Sequence, residues 1–410
     1  MRATFSLLRR RPAFARLFLA EVISLGGDWF TLVALALVVA RAGHGSGLAL
    51  GGLMAVQLLP MVVLGPWSGV LVDRFDRRRV LAASDLLRFV IVLGLIPAAA
   101  AQQLPLVYLL AFAHFAVTTV FEPGRAAMLP SVVEDEELVA AATLSSVTWS
   151  VMAAVGGLAS GVLAALVGVQ AAFLVDALSF LGSGLLILSI RPEQVRPPRP
   201  HVGDTLALRD GLAYLRRTPV VLATLLVKAI GGITAIEATM ALYATRLFPL
   251  GEGGALTLGL GWACFGVGAV LGPLVCNRLG DGSMGRLRRF IVAGTAMIAV
   301  GLFTLAAAPH VLVFAAAVLL RGAGGSTNWT FSTVLLQRTV PDALRGRLFA
   351  LELAASHLSA IVFALLWGAL VDRIGLRETV FQAGLLSLVP LLAWSLNLAR
   401  MDRAAAAAKG

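Results

Sequence analysis

About twelve apolar stretches, each long enough to cross a lipid bilayer as one helix, follow one another along these 410 residues. A spanning helix needs about 20 mostly apolar residues, because the hydrocarbon core is about 30 Å thick and each helical residue rises about 1.5 Å. The span is helical because its backbone must satisfy its hydrogen bonds internally in hydrocarbon. The first stretch is too long for the apolar core of a signal peptide. An all-α integral membrane protein with twelve transmembrane helices is therefore predicted, with spans near residues 14–41, 47–72, 80–101, 105–129, 139–166, 170–190, 219–248, 254–276, 289–308, 311–338, 348–371 and 379–399.

Charge is scarce and mostly basic. Charged residues make up 13% of the chain and hydrophobic ones 59%, and the net charge is +11, whereas a soluble domain is about 25% charged. The arginines lie mainly between apolar stretches, which favours orientation in a bilayer over nucleic-acid binding. Cys264 and Cys276 belong to no CxxC or Cys/His cluster, so no metal site, disulfide or cofactor is expected.

The loops differ in charge from one side to the other. With the N-terminus inside, the basic clusters at 74–79, 191–217, 286–289, 345–347 and 400–409 all fall in inner segments, and the outer loops carry few basic residues. Cytoplasmic loops of membrane proteins carry the excess of Lys and Arg. The sequence therefore predicts a multi-pass protein with both termini in the cytoplasm.

The longest hydrophilic stretch, 191–218, lies at the middle of the chain. Its prolines exclude a regular helix at the start, and alternating leucines and charges from 204 to 217 predict an amphipathic helix at the inner membrane face. The chain then divides into a six-helix bundle at 1–190, a cytoplasmic linker at 191–218 and a second six-helix bundle at 219–410. Short sequence similarities between the two halves, such as that of Gly69–Asp73 to Gly272–Cys276, indicate two pseudo-repeats, as in alternating-access carriers.

The segment Gly69-x-x-x-Asp73-Arg74-Phe75-Asp76-Arg77-Arg78 resembles the loop 2–3 signature of the major facilitator superfamily. The acid at 76 and the segments 24–29, 85–88, 121–130 and 340–347 are similar to the bacterial drug, macrolide and enterobactin exporter branch. There are two departures: 156–161 lacks the proline of the exporter span 5 signature, and the Arg-containing span 4 motif of other drug–proton antiporter branches is absent. A second string, Gly368-x-x-x-Asp372-Arg373-x-Gly375, imitates the loop signature on the predicted outer side. We interpret the second string only as the close of span 11.

The resemblance implies the major facilitator fold, alternating access and a bacterial inner-membrane location. It also implies conformational gating at the inner face, where Asp73 would cap a neighbouring helix and Arg74 and Arg77 would pair with Glu122 or Glu134. The alternative is a positively charged inner loop with no gating role. The predicted gating residues are Gly69, Asp73, Arg74, Arg77, Glu122 and Arg125.

Ionisable residues within spans are costly in lipid and usually face a cavity or a partner. Asp28, near the middle of span 1, is the first candidate for proton coupling, with Glu21 and Glu237 as further candidates. The alternative for Asp28 is a structural ion pair or hydrogen bond between helices. Asp85 and Arg88 are three residues apart and are predicted to pair on one helix face.

Polar and aromatic residues of the second half are candidates for a substrate cavity. An aromatic residue on a span is more often packing or an interface anchor than a ligand contact, and a lone charge can equally belong to a buried pair. These candidates are Lys228, Tyr243, Arg321, Asn328 and Trp329.

The sequence favours a secondary transporter over an enzyme, a receptor or a channel. It has no phosphate-binding GxxxxGK[ST] loop, soluble domain or catalytic constellation, and two echoing halves favour a carrier over a channel. The function predicted is proton-coupled export of small amphipathic compounds, such as drugs or siderophores, by a monomer whose partners are its substrate, protons and membrane lipids. The alternative is a lipid or lysolipid flippase of the same fold.

Overall fold

A computed structural model of the protein describes residues 7–191, 208–234 and 237–407. Within these residues, twelve helical segments are long and apolar enough to cross a membrane, which confirms the predicted spans. Spans 1 to 6 are α1 (Pro12–Ala42), α2 (Gly47–Arg74), α3 (Arg77–Ala100), α4 (Leu104–Val132), α5 (Leu138–Leu166) and α6 (Val169–Leu188).

The linker ends in a short helix, α7 (Leu208–Arg217). Residues 192–207 of the predicted linker lie outside the described residues. Leu215 is buried with residues of three later helices, whereas Leu212 is 45% exposed. One side of α7 thus packs on the protein, as an amphipathic pattern requires.

Spans 7 to 12 follow α7. Span 7 consists of α8 (Pro219–Ile233), α9 (Glu237–Leu242) and a π-helical turn (Tyr243–Leu247). The remaining spans are α10 (Ala255–Leu279), α11 (Met284–Ala306), α12 (Val311–Thr339), α13 (Asp342–Ile374) and α14 (Leu376–Ala407).

The chain forms two compact units. Unit 1 comprises residues 1–45, 56–201 and 241–263, and unit 2 comprises 46–55, 202–240 and 264–410. Relative to the predicted division of the chain, 46–55 lies in unit 2 and 241–263 lies in unit 1. The start of α2 therefore packs with the second-half helices, and the end of span 7 and the start of α10 pack with the first-half helices.

The cores of the two units use mostly equivalent spans. In unit 1, a buried cluster joins α1, α3, α4, α5 and α6 through residues that include Phe14, Leu81, Phe121, Ala141 and Ile187. In unit 2, a buried cluster joins span 7, α10, α11, α12 and α14. Spans 1, 3, 4 and 6 of the first cluster match spans 7, 9, 10 and 12 of the second, the relation expected of two pseudo-repeats, whereas among the described residues span 5 and span 8 have no counterpart in the other cluster.

Helices α1 and α6 approach closely at Gly27. A Cβ atom added there would lie 1.9 Å from Ser179 Oγ and 2.8 Å from Ser179 Cβ. We expect Gly27→Ala to lower the free energy of unfolding by about 1–3 kcal/mol, because the extra methyl group overpacks the contact. The measurement is the midpoint of unfolding in a fixed detergent.

The matched control for Gly27 is Gly182→Ala on α6, where an added Cβ meets nothing within 4 Å. This change should be neutral or stabilise by up to about 1 kcal/mol, because alanine is the better helix former. Equal effects of the two substitutions would show that the α1–α6 contact tolerates a methyl group.

Candidate functional site

Asp28 lies where α1 faces α3 and α4 inside unit 1. Its Oδ2 atom is 3.7 Å from Arg88 Nη1 and its Oδ1 atom is 3.5 Å from His114 Nε2. The Asp28 side chain is 29% exposed, whereas the side chains of Arg88 and His114 are 1% exposed. Asp28 is thus the member of this group that a proton or a ligand can reach.

Arg88 is held mainly by other partners. Its Nη2 atom donates to Asp85 on the same helix and, at 3.4 Å, to Ser24 Oγ. Asp85 also accepts a hydrogen bond of 2.6 Å from Ser183 Oγ. The Arg88 guanidinium carbon lies 4.2 Å from the centroid of the Phe180 ring. The predicted Asp85–Arg88 pair is therefore formed, and it leaves Asp28 with longer contacts.

Asp176 adds a further carboxyl group to this region. It is fully buried on α6, and its Oδ1 atom accepts from Ser179 Oγ at 3.2 Å. A Cβ on Gly27 would lie 2.4 Å from the same oxygen, so Asp176 lies against α1 beside Asp28. The group then holds three aspartates, one arginine and one histidine. An excess of carboxyl groups in an apolar surrounding favours binding of a proton or another cation.

A second ionic cluster joins α1, α4 and α5. Arg125 Nη1 lies 2.9 Å from Glu21 Oε1, and Arg125 Nη2 lies 3.2 Å from Glu122 Oε2. Ser145 Oγ donates to Glu21 Oε2 at 2.9 Å. Glu21, predicted for proton coupling, thus shares one arginine with Glu122, predicted for gating. Sequence spacing suggested the Glu122–Arg125 pair but not Glu21, because Glu21 lies on another helix.

The structure describes part of the loop signature between α2 and α3. The side chain of Asp73 lies outside the described residues, and Arg74 is exposed. Arg77 Nη1 donates to the carbonyl of Ala127 at 2.9 Å. An added Cβ on Gly69 would meet nothing within 4 Å, so no close helix contact requires a glycine there.

The acids predicted as partners of this loop bind other arginines. Glu122 pairs with Arg125, and Glu134 pairs with Arg11, which also lies 3.0 Å from Glu137. Asp76 of the loop signature stabilises its own helix, because the Asp76 carboxylate accepts a hydrogen bond from the Arg79 amide at 3.1 Å and caps α3.

In unit 2, Lys228 forms a buried ion pair with Glu352. Lys228 Nζ lies 2.8 Å from Glu352 Oε2, and the two side chains are 6% and 1% exposed. The ammonium also lies 4.2 Å from the centroid of the Trp329 ring, a cation–π distance. Trp329 itself is 48% exposed. Sequence reasoning missed Glu352 because its partner lies 124 residues away on another helix.

Three other predicted cavity residues are buried. Arg321 donates to the carbonyl of Thr234 at 3.2 and 3.3 Å, and Asn328 Nδ2 donates to Thr295 Oγ1 at 3.0 Å. Tyr243 is fully buried beside Phe248. Polar groups in apolar helices bind neighbouring helices in this way, so these three offer little surface to a substrate. The side chain of Glu237 lies outside the described residues.

Comparisons with known proteins agree with this architecture. The family model of transmembrane secretion effectors matches residues 2–409. The putative bacilysin exporter BacE of Bacillus subtilis is 26% identical over 87% of this chain and 88% of its own length. The enterobactin exporter EntS of Shigella boydii serotype 18 is 26% identical over 89% of this chain and 86% of its own.

Among solved structures, the nucleoside transporter NupG (D323A mutant) matches with a TM-score of 0.75 and 11% identity, over 94% of this chain and 99% of that one. This likeness shows the fold. The family match spans both six-helix halves and bears out the resemblance of the loop signature. This multi-pass membrane protein therefore belongs to the transmembrane secretion effector family of the major facilitator superfamily, whose members transport small molecules.

Proposed function

We propose that this transporter is a proton-coupled exporter of small amphipathic compounds in the bacterial inner membrane, with both termini in the cytoplasm. The proposal rests on Asp28, a partly exposed carboxylate within a spanning helix and close to one cation and one imidazole. Such residues mark proton or substrate pathways in membrane proteins. The charge bias of the loops supports the orientation.

The geometry around Asp28 supports a proton-exchange step. In its charged form Asp28 is attracted to Arg88 and His114. When it takes up a proton this attraction weakens, and Arg88 keeps its contact with Asp85. Protonation therefore changes how α1 is held against α3 and α4 without leaving a buried arginine unpaired. A substrate that reaches the exposed side of Asp28 would compete with the proton, which is the requirement for antiport.

The direction of transport is supported by two relatives. BacE is named a putative bacilysin exporter and EntS an enterobactin exporter. The mostly equivalent cores of the two units support alternating access, since repeats of this kind carry a site near the membrane midplane. Within this scheme Gly69, Asp73, Arg74, Arg77, Glu122 and Arg125 remain our proposed inner gating residues. The exposed ring of Trp329, with Lys228 against it, is our proposed substrate contact.

The test is transport by the purified protein in proteoliposomes. Uptake of ethidium, an amphipathic cation, is followed by fluorescence with and without an imposed pH gradient. We expect uptake that depends on the gradient and is lost when nigericin collapses it. Uptake that ignores the gradient would overturn proton coupling. Gradient-independent movement of a fluorescent lysophosphatidylcholine, with no ethidium uptake, would overturn the exporter in favour of the flippase alternative.

A further inference from the structure

The carboxylate of Asp372, in the last turn of α13, caps the first turn of α2. Its Oδ1 atom accepts from the Gly47 amide at 2.7 Å, and its Oδ2 atom accepts from Ser46 Oγ at 2.7 Å and from the Leu48 amide at 3.0 Å. The first amides of a helix have no partner within the helix, and negative charge is stabilised there. Ser46, the residue before the helix, gives the usual cap by accepting from the Ala49 amide at 3.2 Å. Asp372 adds a second cap from the second half of the chain.

The same two helices touch backbone to backbone beside this cap. A Cβ on Gly47 would lie 2.6 Å from the Gly368 carbonyl oxygen, and one on Gly51 would lie 2.3 Å from the carbonyl oxygen of Ala364. Ala364, Gly368 and Asp372 are spaced by four residues and share one face of α13. The close backbone contacts and the Asp372 cap therefore lie along the same face of α13, where it meets the start of α2 within unit 2.

This contact explains the second copy of the loop signature. Gly368-x-x-x-Asp372-Arg373 has the spacing of Gly69-x-x-x-Asp73-Arg74. Both strings lie at the C-terminal ends of their helices, but the second lies on the predicted outer side of the membrane and the first on the predicted inner side. Gly69 has open space where a Cβ would be, whereas Gly368 would clash with the Gly47 carbonyl at 2.4 Å. The outer string is thus more than the close of span 11, because its glycine and its acid both contact α2.

We propose that Asp372, with Gly368 and the start of α2, forms a latch that holds the predicted outer ends of α2 and α13 together and must release when that end opens. This inference rests on the proposed alternating-access function. Release breaks three hydrogen bonds to one carboxylate and separates two glycine-lined surfaces. Closure restores both, so the latch stabilises the conformation in which these ends touch.

The test measures the distance between the two helix ends directly. Spin labels are placed at Leu48 and Ile374, both exposed, in a full-length chain whose Cys264 and Cys276 are replaced by serine, and distances are read by electron double resonance in nanodiscs. We expect Asp372→Asn to raise the ratio of separated to closed ends about tenfold, the size of a lost charged helix cap. The matched control, Glu378→Gln in the first turn of α14, should leave the ratio unchanged.

A second variant separates charge from packing. Gly51→Val should shift the ratio in the same direction, because its side chain cannot fit against Ala364. An unchanged ratio in Asp372→Asn would overturn the latch, whether or not Gly51→Val opens the contact. An equal shift in Glu378→Gln would also overturn it. These distances need neither substrate nor gradient, so a failure of ethidium transport would overturn the proposed function and leave this result standing.

Discussion

Asp28→Asn should reduce pH-driven ethidium uptake at least about 100-fold, to the level of empty liposomes. The amide has almost the shape of the carboxyl group but cannot gain or lose a proton, so the exchange step is lost. Asp28 touches Arg88 and His114 only at 3.5–3.7 Å, and Arg88 keeps Asp85 as its partner. The variant should therefore fold.

The control for Asp28 is Glu136→Gln, which removes the same charge from an exposed residue. We expect its uptake to match that of the unchanged protein, because exposed charges are screened by water and salt. Full gradient-driven uptake by Asp28→Asn would exclude Asp28 as the coupling residue. Equal losses in both variants would point to net charge instead of to this site.

His114 serves as a positioning residue in this scheme, because it lies against Asp28 and is itself almost fully buried. His114→Gln keeps an N–H donor near Asp28 and should retain uptake within about threefold. His114→Leu removes the donor and should lower uptake about tenfold, the size of a lost hydrogen bond to a charged group. Similar losses in both variants would show that His114 itself carries the proton or maintains the fold.

The sequence predicts what is local in this fold. Each spanning helix follows from its own apolar stretch, so α1 at Pro12–Ala42 closely matches the predicted 14–41. The pair of Asp85 and Arg88 follows from their spacing on one helix face. Both inferences need only residues within a few turns of each other, and both agree with the structure.

Contacts between distant helices do not follow from such local spacing. Nothing in the helix of Glu352 shows that it faces Lys228, 124 residues earlier. The sequence indicates only that Asp372 closes a span, because its partners, Ser46 to Leu48, lie more than 320 residues away. The sequence does not define how each helix is rotated about its own axis, so a charged residue in a span has many possible partners.

Lys228→Met should lower the free energy of unfolding by about 3–5 kcal/mol, because it leaves the buried carboxylate of Glu352 without its counter-ion. Glu352 is 1% exposed, and within the described part of the protein its Oε1 atom has no hydrogen-bond partner. No neighbouring side chain among the described residues is therefore in place to compensate. The measurement is chemical unfolding in mixed micelles, with no substrate or gradient present.

Two comparisons decide whether the buried pair is the cause. Arg286→Met breaks a surface ion pair in which Arg286 Nη2 lies 3.9 Å from Asp281 Oδ2 and the two side chains are 41% and 59% exposed. This change should lower the free energy of unfolding by less than about 1 kcal/mol. The double change Lys228→Met with Glu352→Met should recover most of the lost stability, since replacing both charges by apolar groups removes the unpaired carboxylate. If the double variant is as unstable as Lys228→Met alone, the loss comes from the packing of Lys228 on Trp329 and not from its charge.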